Sequence, residues 1–358
     1  MPRAILCVGN GDPSLPLGAG VLELSPNHPS PSPMPGYLKI LVSASSVNFA
    51  DPLTVEGKYQ VKIPTPFVPG SEASGTVVEV GSRESSFKPG DRVVSFHQGG
   101  AYADEMLVPE LTTWKVPQGV DLTTSAAVPV VYGTADLALR HRAGIRQGQT
   151  VLVLGAGGGV GLAAVQISKV LGAKVVAVTQ GAAKMAFLQS QGADVVIDLA
   201  HTTKDRPLSI LVKQHIPKGV NVVIDPVGGA LFNEALRSVA WGAHIVVIGF
   251  AGGGIPKIPA NILLVKNTTV HGLYWGSYLQ HQPAVLRSSM DILMQWLSEG
   301  KLHPHISHTF KLEELPMAFS TLLQRKAMGK VLVLGAAGEA TAAGHAAAAA
   351  AAQQRSRL

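Results

Sequence analysis

The spacing of apolar residues changes near residue 126. Before this point, short apolar and β-branched runs alternate with glycine and proline turns, which predicts strands over 38–42, 73–80 and 92–96. After it, apolar runs alternate with stretches of helical period. Five of these runs are predicted to be buried parallel strands: Val151–Leu154, Val175–Val178, Val195–Asp198, Val220–Asp225 and His244–Gly249. The alternation predicts an α/β fold, with a doubly wound parallel sheet that follows a β-rich domain.

The last part of the chain has two helical patterns and one further strand. Helices are predicted over 282–299 and 312–328, and a strand over Lys330–Leu334. We expect a β-rich domain over 1–125, a doubly wound domain over 126–270 and a return to the first domain over 271–334. From Gly335 the chain is rich in alanine without apolar periodicity, so 335–358 is expected to be a disordered tail that packs against nothing.

A glycine cluster stands between the first two buried runs. The segment 151–179 reads VLVLGAGGGVGLAAVQISKVLGAKVVAVT, which is strand, glycine loop, helix and strand in order. Glycines at this turn let a pyrophosphate approach backbone N–H groups and the positive end of the helix. The context therefore predicts a dinucleotide site, at Gly157, Gly158, Gly159, Val160 and Gly161.

The second strand of this unit indicates which dinucleotide binds. Enzymes that use NAD usually place an acidic residue at its end, about 20 residues past the glycines, to bind the ribose hydroxyls. This chain has Thr179 there, followed by Gln180 and Gly181, and Lys184 comes shortly after. Since no carboxylate would repel a 2′-phosphate and Lys184 would attract one, NADPH is the predicted cofactor.

Composition excludes several other classes. The net charge is +6, but basic residues are scattered singly, so we expect no dedicated nucleic-acid surface. Cys7 is the only cysteine and excludes a disulfide within the chain. No apolar stretch approaches the roughly 20 uncharged residues of a membrane span, and the first residues resemble no secretion signal.

Four motifs, in this order, resemble the quinone oxidoreductase (zeta-crystallin-like) branch of the medium-chain dehydrogenase/reductases. They are the glycine loop and, before it, three segments: Ser46-Val47-Asn48-Phe49-Ala50-Asp51, Phe67-Val68-Pro69-Gly70-Ser71-Glu72-Ala73-Ser74-Gly75 and Lys88-Pro89-Gly90-Asp91-Arg92-Val93. The resemblance implies a GroES-like catalytic domain split around a Rossmann domain, with NADPH in the cleft between them. It also implies a homodimer formed by edge pairing of the Rossmann sheets.

The chain departs from the zinc-dependent relatives in this superfamily. Those proteins have a cysteine just after the equivalent of Asn48, and Gly-His-Glu where this chain has Gly70-Ser71-Glu72. Catalytic zinc needs three protein ligands of cysteine, histidine or carboxylate type. We therefore expect no metal site.

Hydride acceptors that need no metal activation are already electron-poor, such as quinones and α,β-unsaturated carbonyls. By resemblance, Asn48 and Tyr59 face the nicotinamide, and each offers a hydrogen-bond donor to the anion that develops on the acceptor. Tyr59 either relays a proton or acts as a lid over the cleft. The resemblance assigns further cofactor contacts to Thr134, Gly249, Phe250, Asn261 and Arg325.

Ser356-Arg357-Leu358 is a conservative variant of the Ser-Lys-Leu peroxisomal address. It predicts recognition by the peroxisomal import receptor, with the cytoplasm as the alternative location. In a peroxisome, an enoyl thioester or a lipid-derived enal becomes an alternative acceptor. A non-catalytic crystallin-like or RNA-binding role is a further alternative.

Overall fold

The computed structural model describes residues 1–344, which form two compact units. The first unit comprises Met1–Pro129 and the described residues from His305 onward, and the second comprises Val130–Pro304. The predicted targeting tripeptide Ser356-Arg357-Leu358 lies outside the described residues.

The strands are β1 (Ala4–Cys7), β2 (Leu22–Ser25), β3 (Tyr37–Val47), β4 (Glu72–Val80), β5 (Arg92–Phe96), β6 (Glu105–Pro109), β7 (Thr113–Lys115), β8 (Thr150–Val153), β9 (Lys174–Thr179), β10 (Val195–Asp198), β11 (Val220–Asp225), β12 (Val239–Val247), β13 (Thr269–Gly272), β14 (Ile306–Lys311) and β15 (Lys330–Leu334). The α-helices are α1 (Ala50–Val55), α2 (Leu122–Ala126), α3 (Pro129–Asp136), α4 (Gly159–Val170), α5 (Ala182–Ser190), α6 (Leu208–His215), α7 (Gly229–Ser238), α8 (Ala260–Lys266), α9 (Tyr278–His281), α10 (Pro283–Ser298) and α11 (Leu315–Leu323). A π-helical segment, Leu137–Arg142, continues α3.

The first unit is built on a seven-stranded sheet in the order β14-β15-β3-β4-β5-β7, with β6 paired to β3. Its long strand β3 pairs antiparallel with β4 and with β15, so segments distant in sequence meet along one strand. Apolar clusters pack in this unit around Ile5 and Phe319, around Ile40 and Met106, and around Ala44 and Leu332. This is the predicted GroES-like part of the fold.

The second unit contains a six-stranded parallel sheet in the order β10-β9-β8-β11-β12-β13. The central strands β8, β9 and β11 are almost entirely buried on both faces, as their continuous apolar runs require. A large apolar cluster packs against one face, with Val223, Phe232 and Ile245 fully buried. The predicted β-rich domain and the predicted parallel sheet are both present.

Residues 271–304 belong to the second unit, whereas the sequence analysis assigned them to the returning catalytic domain. The reason is that β13 pairs with β12 and extends the parallel sheet, and α10 follows within the same unit. The sequence pattern did not distinguish this short sixth strand from a connecting loop.

The expectation that the chain packs against nothing from Gly335 is wrong for its described part. Residues 336–344 are helical, and Asp104 accepts a 2.8 Å hydrogen bond from the N–H of Ala336 at the start of this helix. Glu339 pairs with Arg3 at 3.1 Å. Alanine has the highest helix propensity of all residues, so an alanine-rich segment forms a helix once its first turn is anchored.

Candidate functional site

The glycine loop of the second unit lies between β8 and α4. Gly158 occupies the N-cap position of α4, and no side chain caps this helix end. A Cβ on Gly161 would lie 2.7 Å from the Cα of Ala156, so only glycine lets α4 pack this closely on the turn that precedes it. The loop therefore presents uncapped backbone N–H groups at a helix N-terminus, as pyrophosphate binding requires.

Lys184 lies beside Gly157, the first of the glycines predicted to bind the cofactor. It stands in the first turn of α5, and a Cβ on Gly157 would lie 3.2 Å from its Cδ and 3.3 Å from Oγ1 of Thr179. Thr179 ends β9 and is buried. The structure thus brings together Gly157, Thr179 and Lys184, which the sequence analysis had selected for discrimination between cofactors.

Two further loops follow neighbouring parallel strands at the same sheet edge. The N–H of Ile248 donates a 2.8 Å hydrogen bond to the carbonyl of Asp225, and the N–H of Gly252 bonds to the carbonyl of Val227. Phe250 packs on Gly228, where a Cβ would lie 2.9 Å from the ring. These contacts fix the loop that contains Gly249 and Phe250 against the end of β11.

The glycine loop adjoins these two loops. A Cβ on Gly155 would lie 3.0 Å from Cγ2 of Val227. The loops after β8, β11 and β12 therefore form one continuous surface at the carboxyl end of the sheet, where doubly wound folds bind their ligands. These residues fit NADPH, with backbone N–H groups for the pyrophosphate and a cation for the 2′-phosphate.

The remaining predicted cofactor residues lie on other elements. Thr134 is buried in α3, next to Gly133, whose missing side chain makes room for the indole of Trp275. Asn261 is exposed in the first turn of α8. Arg325 is exposed in the first unit, after α11, with a left-handed φ of 58°. Their cofactor roles stay predictions.

A buried polar cluster in the first unit surrounds Asn48. Its Nδ2 donates a 2.8 Å hydrogen bond to Oε1 of Glu72, and its Oδ1 accepts a 2.8 Å bond from Nζ of Lys330. Lys330 also pairs with Glu72 at 3.2 Å, and both side chains are almost inaccessible to solvent. We call Asn48, Glu72 and Lys330 the amide-lock cluster. Sequence reasoning missed the roles of Glu72 and Lys330.

A second carboxylate, Asp51, lies beside this cluster. Its Oδ2 accepts 2.8 Å hydrogen bonds from the backbone N–H of Asn48 and from the hydroxyl of Tyr102. Ser71 donates a longer bond of 3.3 Å to Oδ1. Burial raises the pKa of Asp51 to about 6, although the hydrogen bonds from Asn48 and Tyr102 and the charge of Lys330 act in the opposite direction.

Tyr59, the other predicted catalytic residue, lies in the loop after α1. Its side chain is partly exposed, and its backbone N–H donates a 3.0 Å bond to the carbonyl of Leu53. The structure places it in the same unit as Asn48. Its assignment as proton donor or lid stays open.

The side chains around Asn48 can be compared with the cysteine, histidine and carboxylate ligands that zinc prefers. The chain has an amide and a hydroxyl at Asn48 and Ser71, and the Glu72 carboxylate already neutralises the Lys330 ammonium. Cys7 is buried in the β1 core, where its thiol bonds to the carbonyl of Gly9. Within residues 1–344, no group of three or more histidine, cysteine, aspartate or glutamate side chains is arranged to hold a metal.

The same residues include no helix long and apolar enough to span a membrane.

Known protein families match segments of both units. Residues 34–118 match the alcohol dehydrogenase GroES-like domain, and residues 159–297 match the zinc-binding dehydrogenase domain. The chain is 43% identical to quinone oxidoreductase-like protein 2 homolog of Nematostella vectensis, over 83% of this chain and 81% of that protein. It is also 43% identical to quinone oxidoreductase-like protein 2 of Mus musculus, over 85% of this chain and 87% of that protein.

Solved structures show the same architecture. The Escherichia coli quinone oxidoreductase complexed with NADPH superposes with a TM-score of 0.82 and 25% identity, over 93% of this chain and 99% of that chain. The family matches in both units and the sequence identity over most of the chain therefore show the family of this protein. The chain belongs to the quinone oxidoreductase-like branch of the medium-chain dehydrogenase/reductases, a family of oxidoreductases.

Proposed function

We propose that this protein is an NADPH-dependent, zinc-independent reductase of quinones or related α,β-unsaturated carbonyls. The observation that carries the proposal is the position of Lys184 over Gly157 and Thr179, at an uncapped helix end. Bound NADPH supplies a hydride from its nicotinamide ring, and a proton completes the reduction to a quinol or a saturated carbonyl.

The charges at the glycine loop support NADPH over NADH. A 2′-phosphate needs a cation, and Lys184 provides one in the first turn of α5, where the positive helix end also favours an anion. The N-cap residue of α5 is Gly181, and its N–H donates a 3.1 Å hydrogen bond to Oδ1 of Asp198, so the carboxylate at this helix end is already hydrogen-bonded to the backbone. The E. coli relative solved with NADPH is consistent with this choice.

The amide-lock cluster supports a reaction that proceeds without zinc. A zinc ion at this position would meet the ammonium of Lys330, which is already 2.8 Å from Asn48 and 3.2 Å from Glu72. Placing a second cation beside a buried ammonium is strongly unfavourable. An acceptor that is already electron-poor needs no Lewis acid, because its own conjugation spreads the charge that hydride transfer creates.

Within this proposal, Asn48 and Tyr59 bind the developing anion of the acceptor. Each offers a hydrogen-bond donor, an amide N–H or a phenol O–H. For an enone, the carbon that becomes carbanionic also needs a proton, and Tyr59 is the proposed source. For a quinone, water can protonate the oxygens of the quinol.

Stopped-flow measurement of NADPH oxidation with a panel of quinones, enals and an enoyl-CoA tests this function. We expect rapid acceptor-dependent oxidation with at least one quinone or enal, unchanged after extensive chelation, and well under one zinc per chain. Stoichiometric zinc that is required for turnover, or no oxidation with any acceptor, would contradict the proposal.

We further propose that the protein is imported into peroxisomes through Ser356-Arg357-Leu358, in which case an enoyl thioester is the competing acceptor. Deleting this tripeptide from an N-terminally tagged protein should move it to the cytosol without changing NADPH oxidation. A cytosolic location for the undeleted protein would contradict import. It would also leave quinone reduction as the favoured activity.

We also propose that the protein forms a homodimer through β13, which ends the order of the parallel sheet within the described residues. Light scattering of the purified protein should give twice the mass of the chain. A monomer at micromolar concentration would contradict this assembly.

A further inference from the structure

Lys330 has an unusual place for a lysine. It begins β15, a strand whose residues are all buried, and its own exposure is 4%. Its ammonium donates to the carbonyl of Val47 at 3.0 Å, to Oδ1 of Asn48 at 2.8 Å and to Oε1 of Glu72 at 3.2 Å. An ammonium has three hydrogens, so these acceptors use all of its donors. Lys330 therefore binds Val47, Asn48 and Glu72 and has no donor left for a substrate.

The two charged groups act on opposite ends of the Asn48 amide. The Lys330 ammonium can only donate, so it selects the amide oxygen, and the Glu72 carboxylate can only accept, so it selects the amide nitrogen. A flipped amide would place its oxygen against the carboxylate and its NH₂ group against the ammonium. Because the cluster is buried, both contacts would be costly. The charges thus specify one orientation.

This orientation decides what Asn48 can offer to a ligand. One Nδ2 hydrogen is used by Glu72 at 2.8 Å, whereas the other has the carbonyl of Ser46 at 3.4 Å, near the limit for a hydrogen bond. One amide N–H therefore remains weakly bound by the protein. An oxyanion needs such a donor and would be repelled by the amide oxygen.

We propose that Lys330 is a positioning residue that, together with Glu72, fixes the amide of Asn48 with an N–H available to the reacting acceptor. The inference rests on the proposed reductase function and deepens it. The amide-lock cluster places opposite charges on either side of the donor, and the acceptor's anion uses the hydrogen that these charges leave available.

The test compares the wild type with Lys330→Met/Glu72→Gln, which removes both charges together and avoids leaving one buried alone. We expect kcat to fall about tenfold or more, as for the loss of a donor to a developing anion. The dissociation constant for NADPH should stay within about threefold, because the proposed NADPH-binding residues around the glycine loop are unchanged. Glu72→Gln alone is close to isosteric and should give a smaller fall in kcat in the same direction.

Two controls separate positioning from general damage. Lys39→Met/Glu79→Gln removes a different lysine–glutamate pair of the first unit, 2.7 Å apart, and should leave kcat within about twofold of the wild type. Asn48→Ala is then combined with Lys330→Met/Glu72→Gln. If the charges act through Asn48, the triple variant should be no slower than Asn48→Ala alone.

Two outcomes would overturn this inference while the proposed function stands. They are an unchanged kcat in both Lys330→Met/Glu72→Gln and Glu72→Gln, and losses that multiply in the triple variant. A wild-type protein that oxidises no NADPH with any acceptor would refute the proposed function, and this inference with it. The activity of the wild type therefore distinguishes the two failures.

Discussion

The glycine loop and the amide-lock cluster differ in the groups that form them: the loop uses backbone groups, and the cluster uses side chains. The glycine loop lies within one short segment, and its essential feature is missing side chains, as the close approach of Gly161 to Ala156 shows. The amide-lock cluster depends on side chains from three strands or their ends, with Lys330 and Asn48 separated by 282 positions. One region uses backbone dipoles to receive an anion, and the other uses two buried charges to orient one neutral amide.

This difference has energetic consequences. Backbone N–H groups at a helix end keep their orientation because the helix itself holds them, so the loop needs few specific partners. Buried charges stabilise only when each is satisfied, and removing one partner exposes the full cost of burying the other. We therefore expect single substitutions to lower the free energy of unfolding when they fall in the amide-lock cluster, and to weaken NADPH binding when they fall in the glycine loop.

The largest effect is expected for Lys330→Met. It leaves Glu72 as a fully buried carboxylate without its ammonium, which should lower the free energy of unfolding by about 3 to 5 kcal/mol. Urea denaturation measures the loss. Lys330→Met/Glu72→Gln should recover most of it, and equal losses for the single and double variants would contradict the account of the amide-lock cluster.

A substitution of glycine in the glycine loop should weaken NADPH binding through steric overlap alone. Gly161→Ala would bring a Cβ within 2.7 Å of a backbone atom, which cannot move aside as a side chain can. We expect NADPH binding, measured by calorimetry, to weaken by about 3 kcal/mol, roughly a hundredfold. Gly272→Ala is the control in the same unit, because its Cβ would meet no atom within 4 Å and its φ is not positive. Equal effects of both substitutions would contradict the packing argument.

The charge on Asp51 should make the stability of the first unit depend on pH. Its pKa is raised from 3.8 to about 6, chiefly by burial, so the folded protein binds this proton more tightly than the unfolded chain. The resulting stability is complete below about pH 4 and is lost as the pH rises through 6. The shift corresponds to about 3 kcal/mol.

Asp51→Asn is the matched variant, since an amide oxygen can still accept from Asn48 and Tyr102. The stability of the variant relative to the wild type should rise by up to about 3 kcal/mol between pH 4 and pH 7, as followed by denaturation at each pH. A difference that is constant over this range would show that Asp51 keeps an ordinary pKa in the fold.

A smaller effect is expected from removing the cation at the glycine loop. Lys184→Ala should weaken NADPH binding by about 1.5 to 3 kcal/mol and leave NADH binding nearly unchanged. Lys174→Ala provides the control, because Lys174 is exposed at the opposite end of β9. If both cofactors weaken equally, Lys184 supports the fold of the loop and does not recognise the 2′-phosphate.

The smallest effect concerns Tyr59 and separates its two predicted roles. Tyr59→Phe should lower kcat for enones by about tenfold, because they need a proton on carbon, and change kcat for quinones much less. Steady-state kinetics with one acceptor of each class measure this difference. An equal fall for both classes would indicate that Tyr59 only positions the acceptor, and no fall for either would indicate a lid.

The sequence predicted the regions that depend on local order. The parallel strands and the glycine loop follow from apolar runs and glycines whose partners lie nearby in the chain. The proximity of Lys184 to Gly157 also followed from local spacing, because the strand and helix between them have regular lengths.

Features that depend on distant partners were not predicted. The pairing of β15 with β3 brings Lys330 to Asn48, and nothing in either segment specifies this meeting. A charged residue at the start of a wholly apolar strand was the available signal. Likewise, the anchoring of 336–344 depends on Arg3 and Asp104, so composition alone gave the wrong expectation for this segment.

Wild-type kinetics with a single quinone show whether hydride passes from NADPH to an electron-poor acceptor without a metal. With metal-depleted protein, we expect quinone-dependent oxidation of NADPH with a kcat/KM at least about tenfold higher than that for NADH, the ratio that a single charge-assisted contact provides. Oxidation that requires added zinc, or a preference for NADH, would contradict the account.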